Sequence, residues 1–287
     1  MDQLKYKTCW KAEMVSTAAK PYRAAGRFAW HFAKGKLSGD PAFVGLLQHG
    51  LIPPNSRILD LGCGQGLLAA WLAAADMLYS ASNWPQGFPP APKIASYRGI
   101  ELMPRDVERA GFVVGDNIVV EQGDIRSADF QTADVVVILD VLHYMPWPAQ
   151  DDVLNRVRSA LAPNGTVLLR IGDSAGGWPF HLSNYVDSIV ALARGHTPGR
   201  LYCRTLDQWK AALETLRFAV TSVPMSQGTP FANVLLVGKI CDGAACNGEH
   251  LELPPRRRPE SLMSEYRLAQ RRCYHPRRSR PVPHPVA

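Results

Sequence analysis

Three glycines on alternate positions, Gly62, Gly64 and Gly66, follow an acid, Asp60, within the stretch RILDLGCGQGLLAAW at 57–71. A short apolar strand there runs into an Ala/Leu-rich helix. A strand that turns sharply into a helix leaves backbone N–H groups unpaired at the helix N-terminus, where partial positive charge gathers. Glycine permits φ > 0 and lets a ligand approach the backbone closely. The chemistry on offer is a site for a small ligand with an anionic group. Cys63, inside the loop, is small enough to pack there and joins the ligand-contacting residues.

The glycine spacing separates two classes of ligand. A dinucleotide fingerprint reads G-x-G-x-x-G and aims its helix at a pyrophosphate. Here the order is D-x-G-x-G-x-G, which resembles motif I of class I S-adenosylmethionine (SAM)-dependent methyltransferases. The resemblance spans roughly 51–239 and implies SAM as cofactor. The amino acid end of SAM offers an ammonium to acids and a carboxylate to backbone N–H groups, and Asp60 and the glycine loop suit both.

Further residues fall at the ends of expected strands. Glu101 closes a strand in YRGIEL at 97–102, and an acid there can accept both hydroxyls of a ribose. The family has an acid at this place; with Leu102 it is assigned to the cofactor. The separation from the glycine loop exceeds the usual ~20 residues, which an inserted surface loop over 80–92 explains. Asp124 and Ile125 follow the third strand, where the family bonds the adenine amino group and packs an apolar residue on the ring. The segment LDVLHYM at 139–145 ends the fourth strand, where donor and acceptor meet in this family. Asp140 is assigned to the donor ammonium or the acceptor. His143 and Tyr144 are the candidates for catalysis: an imidazole titrates near neutral pH and could take a proton from an attacking hydroxyl. Substrate contact and a purely structural role for His143 stay open. A sulfonium is already a strong methyl donor, so alignment and exclusion of water suffice and no catalytic triad is required.

The acceptor pocket is expected from the N-terminal helices and the region 172–204, where Trp30, His31, Phe32, Trp178, Phe180, His181 and Tyr185 could line it. They suggest a small apolar, aromatic or lipid-like acceptor, methylated on oxygen or carbon. Arg27, Lys34 and Lys36 could reach the donor carboxylate or simply face solvent. Nucleic-acid amino methyltransferases carry an Asn/Asp-Pro-Pro-aromatic motif after strand four, where this chain has DVLHY at 140–144. The paired-glutamate loop of protein arginine methyltransferases is absent. Catechol-type enzymes bind a metal through acids near Asp140 and Asp173, but Ser174 stands where Asn is usual, and no metal is expected. The stretch 22–37 looks like that of bacterial methyltransferases of aryl-polyene pigment pathways, implying a phenolic acceptor that is carrier-bound. Two rivals are a non-catalytic SAM-binding regulator whose basic tail contacts nucleic acid, and an NAD-type oxidoreductase, which the glycine spacing disfavours.

The elements that must position these residues alternate. Helical character over 11–32 is split by Pro21, and Asp40 caps a helix over 41–49. Strands are predicted over 57–61, 94–101, 117–121, 134–140, 166–171, 218–223 and 233–239. Helices are predicted from Gly66 to about residue 75 and over 104–111, 150–161, 182–193 and 206–216. The run 134–140 is continuously apolar between two acids, as a buried parallel strand requires. The fold class is α/β: a doubly wound Rossmann-like seven-stranded sheet with an antiparallel strand near one edge, a helical cap at 1–50 and a helical insertion after strand five. The SAM-binding domain is 51–240. The remainder, 241–287, has nine Arg, five acids and seven Pro and reads as a disordered basic tail. The whole chain, of 287 residues, carries a net charge of +7, which would favour an acidic carrier protein. Its six cysteines lack a C-x-x-C pair, and free thiols suit a reducing compartment. No apolar run reaches the ~18 residues of a membrane span, and a cytoplasmic location is expected.

Overall fold

The computed structural model describes residues 3–113, 115–172, 201–225 and 233–241, with side chains from residue 9 onward. The predicted helix at 182–193, the tail beyond residue 241, and Asp173, Ser174, Trp178, Phe180, His181 and Tyr185 lie outside the described residues. Helices α1 (Gln3–Ala19), α2 (Arg27–Gly39) and α3 (Pro41–Gln48) lead into β1 (Arg57–Leu61). Then follow α4 (Leu67–Ser80), β2 (Ser96–Glu101), α5 (Pro104–Ala110), β3 (Ile118–Gln122) and β4 (Ala133–Leu139). Next come α6 (Trp147–Ala160), β5 (Leu161–Gly172), α7 (Leu206–Thr215), β6 (Phe218–Pro224) and β7 (Asn233–Ile240).

The sheet order is β3-β2-β1-β4-β5-β7-β6, with β7 antiparallel to both neighbours. The seven strands and the antiparallel member near one edge match the sequence expectation. Strand order reverses between β1 and β4, and a crevice opens beyond the carboxyl ends of the strands at such a point. Both faces of the sheet are covered, and strand residues alternate between them. Ile58, Val135, Val137, Leu168, Leu235 and Val237 share a core with the N-terminal helices and α4. Leu59, Leu61, Val136, Ile138, Leu169 and Leu236 pack with residues of α6 and α7. The helices of the 1–50 segment therefore share one hydrophobic core with the sheet.

Several element boundaries differ from expectation for local reasons. Asp140 has φ +58°, so β4 stops at Leu139 rather than including it. The Pro163-Asn164-Gly165 turn sits inside β5 as an irregularity, with Asn164 at φ +61° and a register shift against β4 between Ala133 and Val135. The helix after Gly66 continues to Ser80, and α6 starts at Trp147 with Pro148 in its first turn. β2 begins at Ser96, because Lys93 and Ala95 pair with the lead-in to β1 instead, through Asn55 N–H to Lys93 O at 2.7 Å and Ala95 N–H to Ser56 O at 3.0 Å.

The insertion after α4 is not a free surface loop. Trp84 and Phe88 pack edge-on against Trp10 of α1, with ring centroids 5.5 and 5.3 Å away. Trp84 Nε1 donates to Pro89 O at 2.8 Å. Trp10 also meets Trp71, a fully buried residue of α4 whose Nε1 donates to Phe43 O at 2.8 Å. Trp71 thus joins α1, α3 and the sheet-facing helix α4. Trp71→Ala is expected to destabilise the fold by roughly 3–5 kcal/mol through cavity formation and a stranded carbonyl. Urea unfolding followed by far-UV circular dichroism measures this, and a loss below about 1 kcal/mol would contradict the packing role.

Candidate active site

The bend after β1 depends on backbone that only glycine adopts readily. Gly62, Gly64 and Gly66 have φ of +74°, +56° and +76°. A Cβ on Gly62 would lie 2.4 Å from Val141 Cγ2, so the loops after β1 and β4 touch at the reversal of strand order. A Cβ on Gly66 would lie 3.3 Å from Ala110 Cβ, at the end of α5. Gly62 N–H donates to Ile100 O at 2.8 Å. Cys63 Sγ occupies the space over Gly99, where a Cβ would sit 2.6 Å from it. Burial pushes the Cys63 thiol well above its ordinary value, with Asp60 and Glu101 adding to the effect. It is a packed thiol, not a nucleophile.

Two acids lie under this loop, on the same face of neighbouring strands. Glu101 is buried; its Oε2 accepts from Gly64 N–H at 2.8 Å and its Oε1 from Met103 N–H at 2.9 Å. Each oxygen retains a lone pair, and Leu102 beside it is exposed. Asp60 is 4% exposed, and its Oδ2 accepts from the Tyr97 hydroxyl at 2.5 Å. Burial pushes the Asp60 carboxyl up to about 7, against the Tyr97 hydrogen bond and with the help of Glu101's charge. No ion pair reaches Asp60 or Glu101 among the described residues.

Asp124 follows β3, but its carboxylate is not free. It accepts from Arg126 N–H at 2.9 Å and from the Arg126 guanidinium, with Nη2 at 2.5 Å. The side-chain bond to Arg126 lowers its pKa. Ile125 is buried next to it. Any ligand at Asp124 therefore shares the carboxylate with Arg126.

After β4 the chain makes a short 3-10 turn, Leu142–Tyr144. Gln150, fully buried in α6, donates its Nε2 to Leu142 O, Met145 O and Tyr202 O at 3.1, 3.0 and 2.7 Å. Tyr202 N–H returns to His143 O at 2.8 Å. The turn is thus fixed to two later segments. The His143 ring lies 4.3 Å from the half-exposed Tyr144 ring. Its Nε2 is buried and makes no hydrogen bond among the described residues. Burial lowers the His143 pKa, against Asp140 and with Arg170, which favours the neutral imidazole. The Asp140 carboxylate is forked by Arg170, and its side chain is 22% exposed.

The N-terminal helices reach the glycine loop directly. Tyr22 Oη donates to Gln65 O at 2.8 Å, and Gln65 Nε2 donates to Ala29 O at 3.0 Å. On α2, Trp30 and Phe32 are half-buried and His31 is exposed. Lys34 lies 4.8 Å over the Trp30 ring, and Lys36 pairs with Asp40 and Asp140. Lys34 is thus held on the cap, and Lys36 ties the cap to Asp140; Arg27 is exposed. Tyr22, Gln65, Tyr97, Gln150 and Arg170 were not singled out by the sequence. A lone Arg inside the apolar run TVLLRIG at 166–172 was a visible signal of a buried ionic partner.

Among the described residues, no three His, Cys, Asp or Glu side chains are grouped to hold a metal ion, and no helix is long and apolar enough to cross a membrane.

Residues 59–167 match a family model described as a methyltransferase domain. Among curated proteins, the chain is 28% identical over 131 residues to the carboxy-S-adenosyl-L-methionine synthase of Chromohalobacter salexigens, covering 44% of this chain and 43% of the relative. It is 29% identical over 127 residues to that of Shewanella amazonensis, covering 44% and 48%. The match thus spans less than half the length of these relatives. Among solved structures, an O-methyltransferase family protein from Burkholderia thailandensis superposes with a TM-score of 0.54 at 19% identity, over 75% of this chain and 60% of that one. Human N-acetylserotonin methyltransferase in complex with SAM gives 0.51 at 18% identity, over 76% and 57%. At such identities these two structures show a shared fold. The matched span holds the end of β1, the glycine loop, the acid ending β2 and the turn after β4, so this part of the chain is similar to a methyltransferase domain, on a sheet of the same fold.

Proposed function

We propose that this protein transfers a methyl group from SAM to a small apolar or aromatic acceptor, on oxygen or carbon. The observation that carries the reading is the left-handed glycine loop packed against Val141, with the buried acids Asp60 and Glu101 beside it and, among the described residues, no cation paired to them. Backbone groups of the loop would hold the donor carboxylate, and Asp60 would face its ammonium. Glu101, through its remaining lone pairs, would take the ribose hydroxyls, with Leu102 alongside. Asp124 and Ile125 would take the adenine. SAM supplies an activated methyl group when bound. The chain contributes alignment and a neutral imidazole at His143 Nε2, able to accept a proton from a phenol or hydroxyl. The exposed Tyr144 ring and the aromatic residues of α2 favour an aromatic acceptor. Carrier attachment and an acidic carrier partner are part of this proposal, supported by the chain's positive charge.

A second reading has its own support. The identity to carboxy-S-adenosyl-L-methionine synthases over 131 residues raises a carboxylated donor as the product. Mass spectrometry of methyl-labelled SAM incubated with the protein and cell extract separates the two: methyl transfer yields S-adenosylhomocysteine and a labelled acceptor, whereas the second reading yields SAM carrying a carboxyl group taken from a carboxylic acid of the extract, which is left decarboxylated.

Three outcomes are expected. Gly64→Val forces a branched side chain into left-handed backbone and should reduce SAM affinity at least ~100-fold by calorimetry, about 3 kcal/mol. Unchanged affinity would remove the loop from the donor site.

Donor binding should release protons near pH 7. With the Asp60 carboxyl at about 7, roughly half of it is protonated there, and an ammonium beside it lowers the pKa and drives the proton off. SAM affinity should therefore rise from pH 6 to pH 8. Calorimetry in buffers of different ionisation enthalpy should show this release in the wild type and lose it in Asp60→Asn.

His143→Ala should lower turnover of a phenolic acceptor by roughly 10²–10⁴ with little change in SAM affinity. The wild-type rate should fall as acidity protonates the imidazole, over a range that burial shifts downward. Equal turnover in the variant would assign His143 to packing.

A further inference from the structure

Four charged side chains from three separate segments of the chain meet beneath the turn that carries His143. Arg170, in the middle of the apolar strand β5, has a side chain only 1% exposed. Its Nε donates to Asp140 Oδ1 at 2.8 Å, and its Nη2 donates to the other Asp140 oxygen. Its Nη1 lies 2.6 Å from both oxygens of Asp40. Asp40 is the N-cap of α3 and accepts from Ala42 N–H at 3.0 Å. Lys36, one turn earlier on α2, places Nζ 2.9 Å from Asp40 and 3.6 Å from Asp140.

Two cations and two carboxylates make the cluster neutral. Burial alone would push both carboxyls up, but Arg170 and then Lys36 outweigh it and hold both below their ordinary value. Both carboxylates are thus favoured in the ionised form. A buried ionic cluster is a poor source of stability, since apolar replacements of the same volume often do as well. Its physical advantage is geometry. A guanidinium offers two donors in a planar fork that fixes a carboxylate in both distance and orientation. Here the fork fixes Asp140, a non-glycine residue at φ +58° that starts the turn bearing His143. The third donor group holds the first turn of α3, and Lys36 bridges the same two acids from α2. The N-terminal helices and the post-β4 turn are therefore seated on one side chain.

We propose that Arg170 is a positioning residue of the methyl-transfer site, which docks the N-terminal helices and the His143 turn together by holding Asp40 and Asp140 at once. The inference rests on the donor-site reading above. With its side chain enclosed, Arg170 acts through Asp140. Among the described residues, the charged and titratable groups around His143 are Asp140 and Arg170, with Lys36 and Asp40 behind Asp140 and the Tyr144 ring on its flank.

The test uses the full chain with Arg170→Met, Arg170→Lys, Asp140→Asn and Asp40→Asn. Three readouts apply: the nitrogen NMR titration of the His143 ring, amide hydrogen exchange, and calorimetry with SAM alone. Removing the Arg170 charge should raise the His143 midpoint, and removing the Asp140 charge should lower it. Opposite shifts are not expected of general loosening. Arg170→Met should speed exchange at least ~10-fold at both 41–48 and 140–145 and weaken SAM binding at least ~10-fold. Arg170→Lys should restore the His143 midpoint but not the slow exchange, because it keeps the charge and loses the fork. Should Arg170→Met fail to fold, Asp40→Asn decides: exchange should rise in both segments together.

An unmoved His143 midpoint in the Arg170 and Asp140 variants would overturn the proposal, as would faster exchange confined to 41–48. If the wild type does not bind SAM, the donor-site reading fails, and the titration and exchange results still judge the coupling on their own.

Discussion

The backbone at residues 62, 64 and 66 must enter the left-handed region three times within five positions, and much of the site follows from that constraint. Only glycine enters that region without a steric cost. The bend it permits brings the loop after β1 against Val141 and the end of α5. Because β1 pairs with β2 on one side and β4 on the other, the bend also fixes where the ends of those strands stand relative to the loop. Glu101 closes the arrangement through the Gly64 and Met103 amides. Those bonds satisfy backbone donors that a sharp turn leaves exposed.

Charge is divided unevenly around the cleft. Under the glycine loop, Asp60 and Glu101 are buried with a phenol and backbone amides for partners. Under the post-β4 turn, Arg170 and Lys36 balance Asp40 and Asp140 completely. The first region is suited to a ligand that brings a cation. The second is already saturated and contributes shape. SAM carries both an ammonium and a sulfonium, and the unbalanced half of the cleft matches those charges.

Much of this was legible in the sequence because local chemistry dictated it. The D-x-G-x-G-x-G turn, the apolar run of β4, the acid ending β2 and the cap at Asp40 each announce themselves within a few residues, and each appears where expected. The less legible features join distant residues. Arg170 and Asp40 are 130 positions apart, and nothing local to either names the other. Tyr97 reads as an ordinary strand aromatic until the sheet register sets it beside Asp60. The insertion after α4 has the Pro, Asn and Gly of a surface loop, yet Trp84 and Phe88 find Trp10. Strand limits shifted where a single residue took positive φ, at Asp140 and Asn164. Asp124 has the expected place, but its neighbour Arg126 competes for the carboxylate.

The central claim is that the cleft at the ends of β1, β2 and β4 receives an adenosyl donor. A crystal structure of the protein soaked with S-adenosylhomocysteine tests it most directly. The expected density has the ribose at Glu101, the adenine at Asp124 and Ile125, and the amino acid end over Gly62 and Gly64. Density for the ligand elsewhere on the molecule, or an empty cleft at saturating ligand, would contradict the assignment.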